Sequence, residues 1–345
     1  MRAGGVDVHV VPWPPSPVRA AVGVARTRSL SAARFWDARL HAEVVKASKG
    51  ADLLVVEYAQ LSPYVRGTCA RRTVLDLHNI ESALTQSYAA TRRGVRALPY
   101  ALESRALAAL ERRALQRFDA VAVVSDVDRH QLPGPVRGEV LLCPNGWDPG
   151  APLPASAEPV VVFVGLLGWK PNVDAALWLV QQVWPLVRQS RPDARLLLVG
   201  RDPAPEVRAL AAPDIDVTGT VPDIAPFLAR AQVAVAPLRA GGGSRLKVLE
   251  ALDAGRPVVA TTVGAEGLED LVGEGVELAD DPATFAGVVL DLLASPERAQ
   301  EMGRRGAAAV RARHDWDATL ARLVAFAEQA GGSQRRSCGL CAQAR

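Results

Sequence analysis

The sequence predicts an α/β protein built from two parallel-sheet domains. Short Val/Leu-rich runs without alternation, segments of helical period between them, and one proline-punctuated joint dividing the runs into two series carry that prediction. Unalternated apolar runs read as strands buried on both faces. Strands that alternate with helices build parallel sheets through right-handed crossovers.

The first series lies at 6–12 (VDVHVVP), 51–58 (ADLLVVEY), 72–79 (RTVLDLHN), 119–125 (DAVAVVS) and 139–145 (EVLLCPN). The second lies at 159–165 (PVVVFVG), 194–200 (ARLLLVG), 215–219 (IDVTG), 232–238 (QVAVAPL) and 256–262 (RPVVATT). Helical stripes fill the intervals. In Asn172–Ser190, Val173, Leu177, Val180, Trp184 and Val187 recur at spacings of three and four. Pro149, Pro152 and Pro154 interrupt an aperiodic stretch between the two series. The expected organisation is a Rossmann-like domain over 1–145, a linker over 146–158, a second Rossmann-like domain over 159–330, and a disordered tail over 331–345. A last helix at about 314–330 can cross back to the first domain.

Composition excludes several functions. The chain has 345 residues and is 49% hydrophobic, enough for two buried cores. With 40 Lys and Arg against 37 Asp and Glu, a nucleic-acid partner has no support. No long apolar run spans a membrane, and the N-terminus lacks the basic-then-apolar order of a secretory signal, so a cytoplasmic location is expected. Cys69 and Cys143 read as small core residues; Cys338 and Cys341 form a lone CxxC without the second ligand pair that zinc needs. No metal and no cofactor are expected.

The most informative stretch is AVAPLRAGGGSRLKVLEALDAGRPVVATT, at 234–262. A strand runs into Gly241, Gly242, Gly243 and Ser244, and a helix begins near Arg245. Glycines let backbone N–H groups approach a ligand, and Ser244 suits an N-cap. A helix N-terminus flanked by Arg245 and Lys247 suits a diphosphate. Glu250, three residues after Lys247, shares its helix face and suits paired ribose hydroxyls. An ordinary capped βαβ turn with a surface ion pair fits the same spacing equally well.

This stretch resembles glycosyltransferase family 4 and its exopolysaccharide-type relatives. So do PNGWD (144–148), FVGLLGWKPNVDAALWL (163–179), LLLVGRD (196–202), VPDIAPFLARAQVAVAPLR (221–239), HDWDATLARL (314–323) and, in the first half, LDLHNIES (75–82), ESRALAALERRAL (103–115) and FDAVAVVSDVDRHQL (118–132). The resemblance implies a GT-B fold, with two Rossmann-like domains facing across a cleft. It also implies metal-free transfer of a sugar from a nucleotide diphosphate donor to an acceptor hydroxyl, with retention. The acceptor is unnamed: a glycan, a lipid-linked molecule or a small molecule.

The family's two loop glutamates fall at Gly242 and Glu250, so only the ribose partner is present. Lys170 lies near the family's diphosphate-binding lysine, with Arg245, Lys247, Gly242, Gly243 and Ser244 completing the donor site. His78 stands where the family has a histidine reaching the donor sugar. The family's first βα unit has no counterpart before GVDVHVV, which leaves a second reading open: a poorly active or non-catalytic binder of nucleotide sugars. A Rossmann dehydrogenase lacks its G-x-G-x-x-G. Segment 92–117, with seven Arg against two Glu, reads as a solvated helix held by pairs such as Glu111 with nearby arginines, or as a surface for anionic membrane.

Overall fold

The computed structural model describes residues 2–3, 6–12, 17–90, 94–154, 156–241 and 245–331. They form two compact units, one of residues up to Cys143 together with those from Arg322, the other of Pro144–Ala321. Cys338 and Cys341 lie outside the described residues.

The N-terminal unit opens with a two-stranded antiparallel pair, β1 (Arg2–Ala3) and β2 (Val6–Asp7). Its main sheet is β3 (Leu53–Glu57), β4 (Arg72–Leu77), β5 (Ala120–Val123) and β6 (Glu139–Leu142), parallel and in chain order. The run at 6–12 therefore does not enter the sheet as its pattern predicts. It has a strand's apolar composition but no neighbour in the main sheet, and Val8 and Val10 stay 41% and 75% exposed. β3 is consequently an edge strand, with Val55 41% exposed. β4 and β5 are central, and Leu75, Val74, Val121 and Val123 are fully buried.

The C-terminal unit holds β7 (Val160–Val164), β8 (Arg195–Val199), β9 (Ile215–Val217), β10 (Val233–Ala236), β11 (Val258–Ala260) and β12 (Val276–Leu278). They form one parallel sheet in the order β12-β11-β10-β7-β8-β9. Alternate residues of β7 feed the cores on its two faces: Val161 and Phe163 on one, Val160 and Val162 on the other.

Three features depart from the sequence reading. The helix expected over Asn172–Ser190 is Lys170–Trp178 and Trp184–Ser190 joined by a π-turn at Leu179–Val183. Pro185 has no N–H to give a carbonyl one turn back, so the ladder widens there. The linker is fastened rather than loose: Asp253 accepts from Trp147 Nε1 (3.1 Å), from the Gly150 amide (2.7 Å) and from Arg311 (3.3 Å). Finally, the helix Trp316–Gly331 crosses back as expected, starting in one unit and ending in the other, but the second domain then closes short of residue 330. Residues from 322 onward, expected with the second domain, belong to the first, because Phe326 packs against the core with Val74, Ala120 and Leu141 while the Arg72 guanidinium lies 4.5 Å over its ring.

Candidate functional site

In the C-terminal sheet, chain order runs outward in both directions from the pair β7 and β10. A crevice opens outside the carboxyl ends of strands at such a reversal, and ligands of open α/β sheets occupy it. Two glycine-bearing turns arrive there, 165–169 after β7 and 237–241 after β10.

Lys247 reaches this point from the helix Leu246–Asp253. Its ammonium donates to Asn172 Oδ1 at 2.5 Å and lies 4.9 Å over the Phe163 ring. Gly165 makes the approach feasible: a Cβ there would sit 2.7 Å from Asn172 Nδ2 and 3.1 Å from Lys247 Nζ. Asn172 is itself held, donating to the Leu166 carbonyl at 3.0 Å. No carboxylate pairs with Lys247 among the described residues. Burial and, next, the Arg245 cation push its ammonium down to about 7. An ammonium has three hydrogens to donate, and a single amide oxygen and a ring face satisfy it incompletely. The arrangement favours an incoming anion. Asn172 and Phe163 were missed by sequence reasoning, since neither residue type signals a ligand site by itself.

Arg245 is 3% exposed, and its guanidinium donates to the Val263 carbonyl (2.9 Å) and to Glu266 (3.0 Å), which anchors the turn at 263–266. Arg245 also occupies the N-cap position expected for Ser244, with no side-chain capping bond. Gly242, Gly243 and Ser244 lie outside the described residues. Lys170 is exposed and begins the helix Lys170–Trp178, two residues before Asn172. Arg239, with both guanidinium arms on Asp174 (2.6 and 3.0 Å), ties that helix to the turn after β10.

Glu250 lies one turn beyond Lys247 and is partly buried, its carboxylate without a hydrogen bond or ion pair among the described residues. Burial raises its carboxyl, and the charge of Asp223 adds to the rise. An acid whose folded value is raised costs stability once pH climbs past its ordinary range and the carboxylate must ionise in place. Glu250→Gln is therefore expected to raise the melting temperature at pH 7–8 and leave it unchanged near pH 4. The same variant should bind a nucleotide sugar more weakly. Thermal melts across pH with donor calorimetry check both, and a lower neutral melting temperature would make Glu250 a structural residue.

Backbone contact between β7 and β8 completes the floor of the crevice. A Cβ on Gly200 would sit 1.7 Å from the Gly165 carbonyl oxygen. Gly200→Ala is expected to cost about 1–3 kcal/mol by overpacking, and to weaken donor binding by displacing Gly165. A melt indistinguishable from the parent would show that the two turns can separate freely.

The N-terminal unit carries its own polar group. His78 follows β4 and packs against Tyr58 at a centroid distance of 4.7 Å, with the ring planes tilted by 36°. Its Nε2 is buried without a hydrogen-bond partner, at 3.8 Å from Asp76 and 4.0 Å from Glu57. Tyr58 itself has φ +66°, a strained conformation for a bulky residue. Burial raises the Asp76 carboxyl, while His78 opposes the rise. Asp280 and Asp281, adjacent in the chain, are both engaged, one by Thr262 and the other in capping the helix Pro282–Ala294.

Residues 158–295 match the family described as "Glycosyl transferases group 1". An uncharacterized 44.6 kDa protein of the cps region of Klebsiella pneumoniae is 27% identical over 135 residues, which is 36% of this chain and 35% of that protein. The chain thus aligns with about a third of that relative's length. Among solved structures, sucrose-phosphate synthase from Thermosynechococcus elongatus superposes with a TM-score of 0.66 at 21% identity, over 86% of this chain and 80% of that one. The Anabaena protein HepE, in complex with UDP and glucose, gives 0.63 at 16% identity, over 84% and 80%. TarM gives 0.67 at 14%, over 83% of this chain and 57% of its own. At these identities the likeness concerns the fold, which is that of the GT-B glycosyltransferases.

Proposed function

We propose, starting from a chain whose residues 158–295 form a glycosyl transferases group 1 domain, that this protein transfers a sugar from a nucleotide diphosphate donor to an acceptor hydroxyl, with retention at the anomeric carbon. Lys247 supports this reading above all: a cation without a carboxylate partner, pushed down to about 7 by burial, at the strand ends where the sheet order reverses.

In this mechanism the diphosphate lies against Lys247, with Lys170 and the N-terminus of the helix Leu246–Asp253 adding positive potential. Glu250 accepts from the ribose hydroxyls. As the glycosidic bond breaks, charge grows on the diphosphate, and the fixed cations stabilise it. The departing phosphate takes the acceptor proton, so no strong side-chain base is required. His78 contacts the donor sugar.

Charge balance by lysine and helix termini predicts transfer without a divalent ion. Product formation from a nucleotide sugar should persist at full rate in excess EDTA. Complete loss of transfer, restored by Mg²⁺, would overturn this scheme. Donor binding without turnover on any acceptor would favour the alternative of a non-catalytic sugar-nucleotide binder.

A further inference from the structure

The N-terminal unit carries an open, shallow depression at the end of the helix Leu98–Leu115, lined by Ala109, Arg112, Arg113, Gln116 and Arg117. We propose that this depression is a second anion site, one that binds a phosphoryl-bearing ligand through Arg112, Arg113 and Arg117.

Three observations carry the proposal. The first is uncompensated charge. The two glutamates of segment 92–117 are spent elsewhere: Glu111 is buried on the Ser82 amide and hydroxyl, and Glu103 grips Ser29, Leu30 and Ser31. The expected pairing of Glu111 with arginines does not occur, because Ser82 takes its carboxylate. Among the described residues no carboxylate forms an ion pair with Arg28, Arg66, Arg112, Arg113 or Arg117. Instead these cations act on one another. Burial depresses Arg113, followed by Arg28, Arg66 and Arg112; burial depresses Arg117, followed by Arg66 and Arg113.

Secondly, the centre of the cluster is held in place, with Arg113 partly buried while Arg112 reaches into solvent. Arg113 donates to the Thr27 carbonyl at 2.9 Å, and Gln116 donates to the Pro135 carbonyl at 2.6 Å. The Arg112 stem lies along Gly134, where a Cβ would come within 3.2 Å of its Cγ. A helix C-terminus accounts for part of the positive charge, but its dipole amounts to about half an electron. The excess remains.

Thirdly, shape and chemistry agree: the depression is open enough to admit a phosphoryl group from solution or from a surface. Guanidinium forks match phosphoryl oxygens in pairs and keep their charge when partly desolvated. A diphosphate in solution or the headgroup of an anionic lipid would supply that chemistry.

The test uses the full chain in a Lys247→Met background, which removes the diphosphate contact proposed for the other unit and keeps the two readings separable. Sodium pyrophosphate is titrated at constant ionic strength, with binding followed by calorimetry and thermal melts. One pyrophosphate should bind and raise the melting temperature. Arg117→Gln, which gives up no hydrogen bond, should weaken that binding at least tenfold while leaving the ligand-free melting temperature unchanged or higher, since it relieves repulsion. A parallel sedimentation assay compares vesicles of phosphatidylcholine with vesicles containing phosphatidylglycerol. Arginine-dependent binding to the anionic vesicles but not to pyrophosphate identifies a lipid headgroup as the source; dependence on pyrophosphate alone identifies a soluble ligand. Equal binding of parent and variant to both probes, or a lowered ligand-free melting temperature in the variant, would overturn the proposal.

Discussion

Lys247→Met is expected to lower turnover with a nucleotide diphosphate sugar by about two to three orders of magnitude, the usual loss when one fixed donor to a developing oxyanion is removed. Donor affinity should fall less, by about 1.5–3 kcal/mol, the worth of a hydrogen bond to a charged group. The fold should not suffer. Methionine fills a similar volume beside Phe163 and Asn172, and it no longer holds an ammonium away from water. Steady-state kinetics, donor calorimetry and thermal melts separate these effects. A variant with parental turnover would remove the diphosphate assignment, and a variant that unfolds would make Lys247 a packing residue.

The same side chain sets a pH dependence whose sign is fixed. In the folded protein burial holds its ammonium near 7, well below the ordinary lysine value. Between about pH 7 and pH 10 the unfolded chain thus binds the extra proton, and stability relative to Lys247→Met rises with pH across that window. Donor binding runs the opposite way. A diphosphate favours the ammonium, so binding takes up a proton above pH 7 and weakens as pH increases. Calorimetry in buffers of differing ionisation heat reads that uptake directly; heats independent of buffer at pH 8 would show that Lys247 does not meet the phosphate.

The sequence shows some of this site and hides the rest for physical reasons. Two strand series and the parallel character of the sheets were legible, and Lys247 and Glu250 share a helix face by spacing alone; the order that sets β7 beside β10 was not, because crossover rules fix handedness and not which strands become neighbours. The partners of Arg245 were not legible, because Val263 and Glu266 lie 18 and 21 residues away and only the folded turn brings them under it. The role of Gly165 likewise depends on Asn172 and Lys247 converging from two helices. The run at 6–12 has a strand's composition, but pairing needs a neighbour, which a local pattern does not report. Segment 92–117 showed its arginines openly. What it could not show was that Ser82 and Ser29 take its glutamates.

In the N-terminal unit, His78→Ala is expected to reduce kcat about a hundredfold, the lower range for loss of a positioned polar group at a reacting centre, with donor affinity little changed. The expectation starts from an unsatisfied atom. Buried polar atoms in folded proteins nearly always have partners, and one without invites a functional reading. His78 Nε2 is such an atom: both nearby carboxylates are beyond hydrogen-bond length, at 3.8 and 4.0 Å. The ring nevertheless packs against Tyr58, which itself has a strained φ of +66°. Both residues follow parallel strands at their carboxyl ends, where α/β sheets present ligands. A side chain positioned at such a cost, with a nitrogen left over, is suited to a hydroxyl of the donor sugar. Removing it should also raise the Asp76 carboxyl further, because His78 is what opposes burial there. His78→Asn keeps a hydrogen-bonding group near the same place and should recover part of the loss. The measurement is kcat and KM for the parent and both variants, with melts to verify folding. If kcat stays within twofold in a folded alanine variant, His78 serves only to support Tyr58, and the N-terminal unit's contribution to the reaction must come from another group.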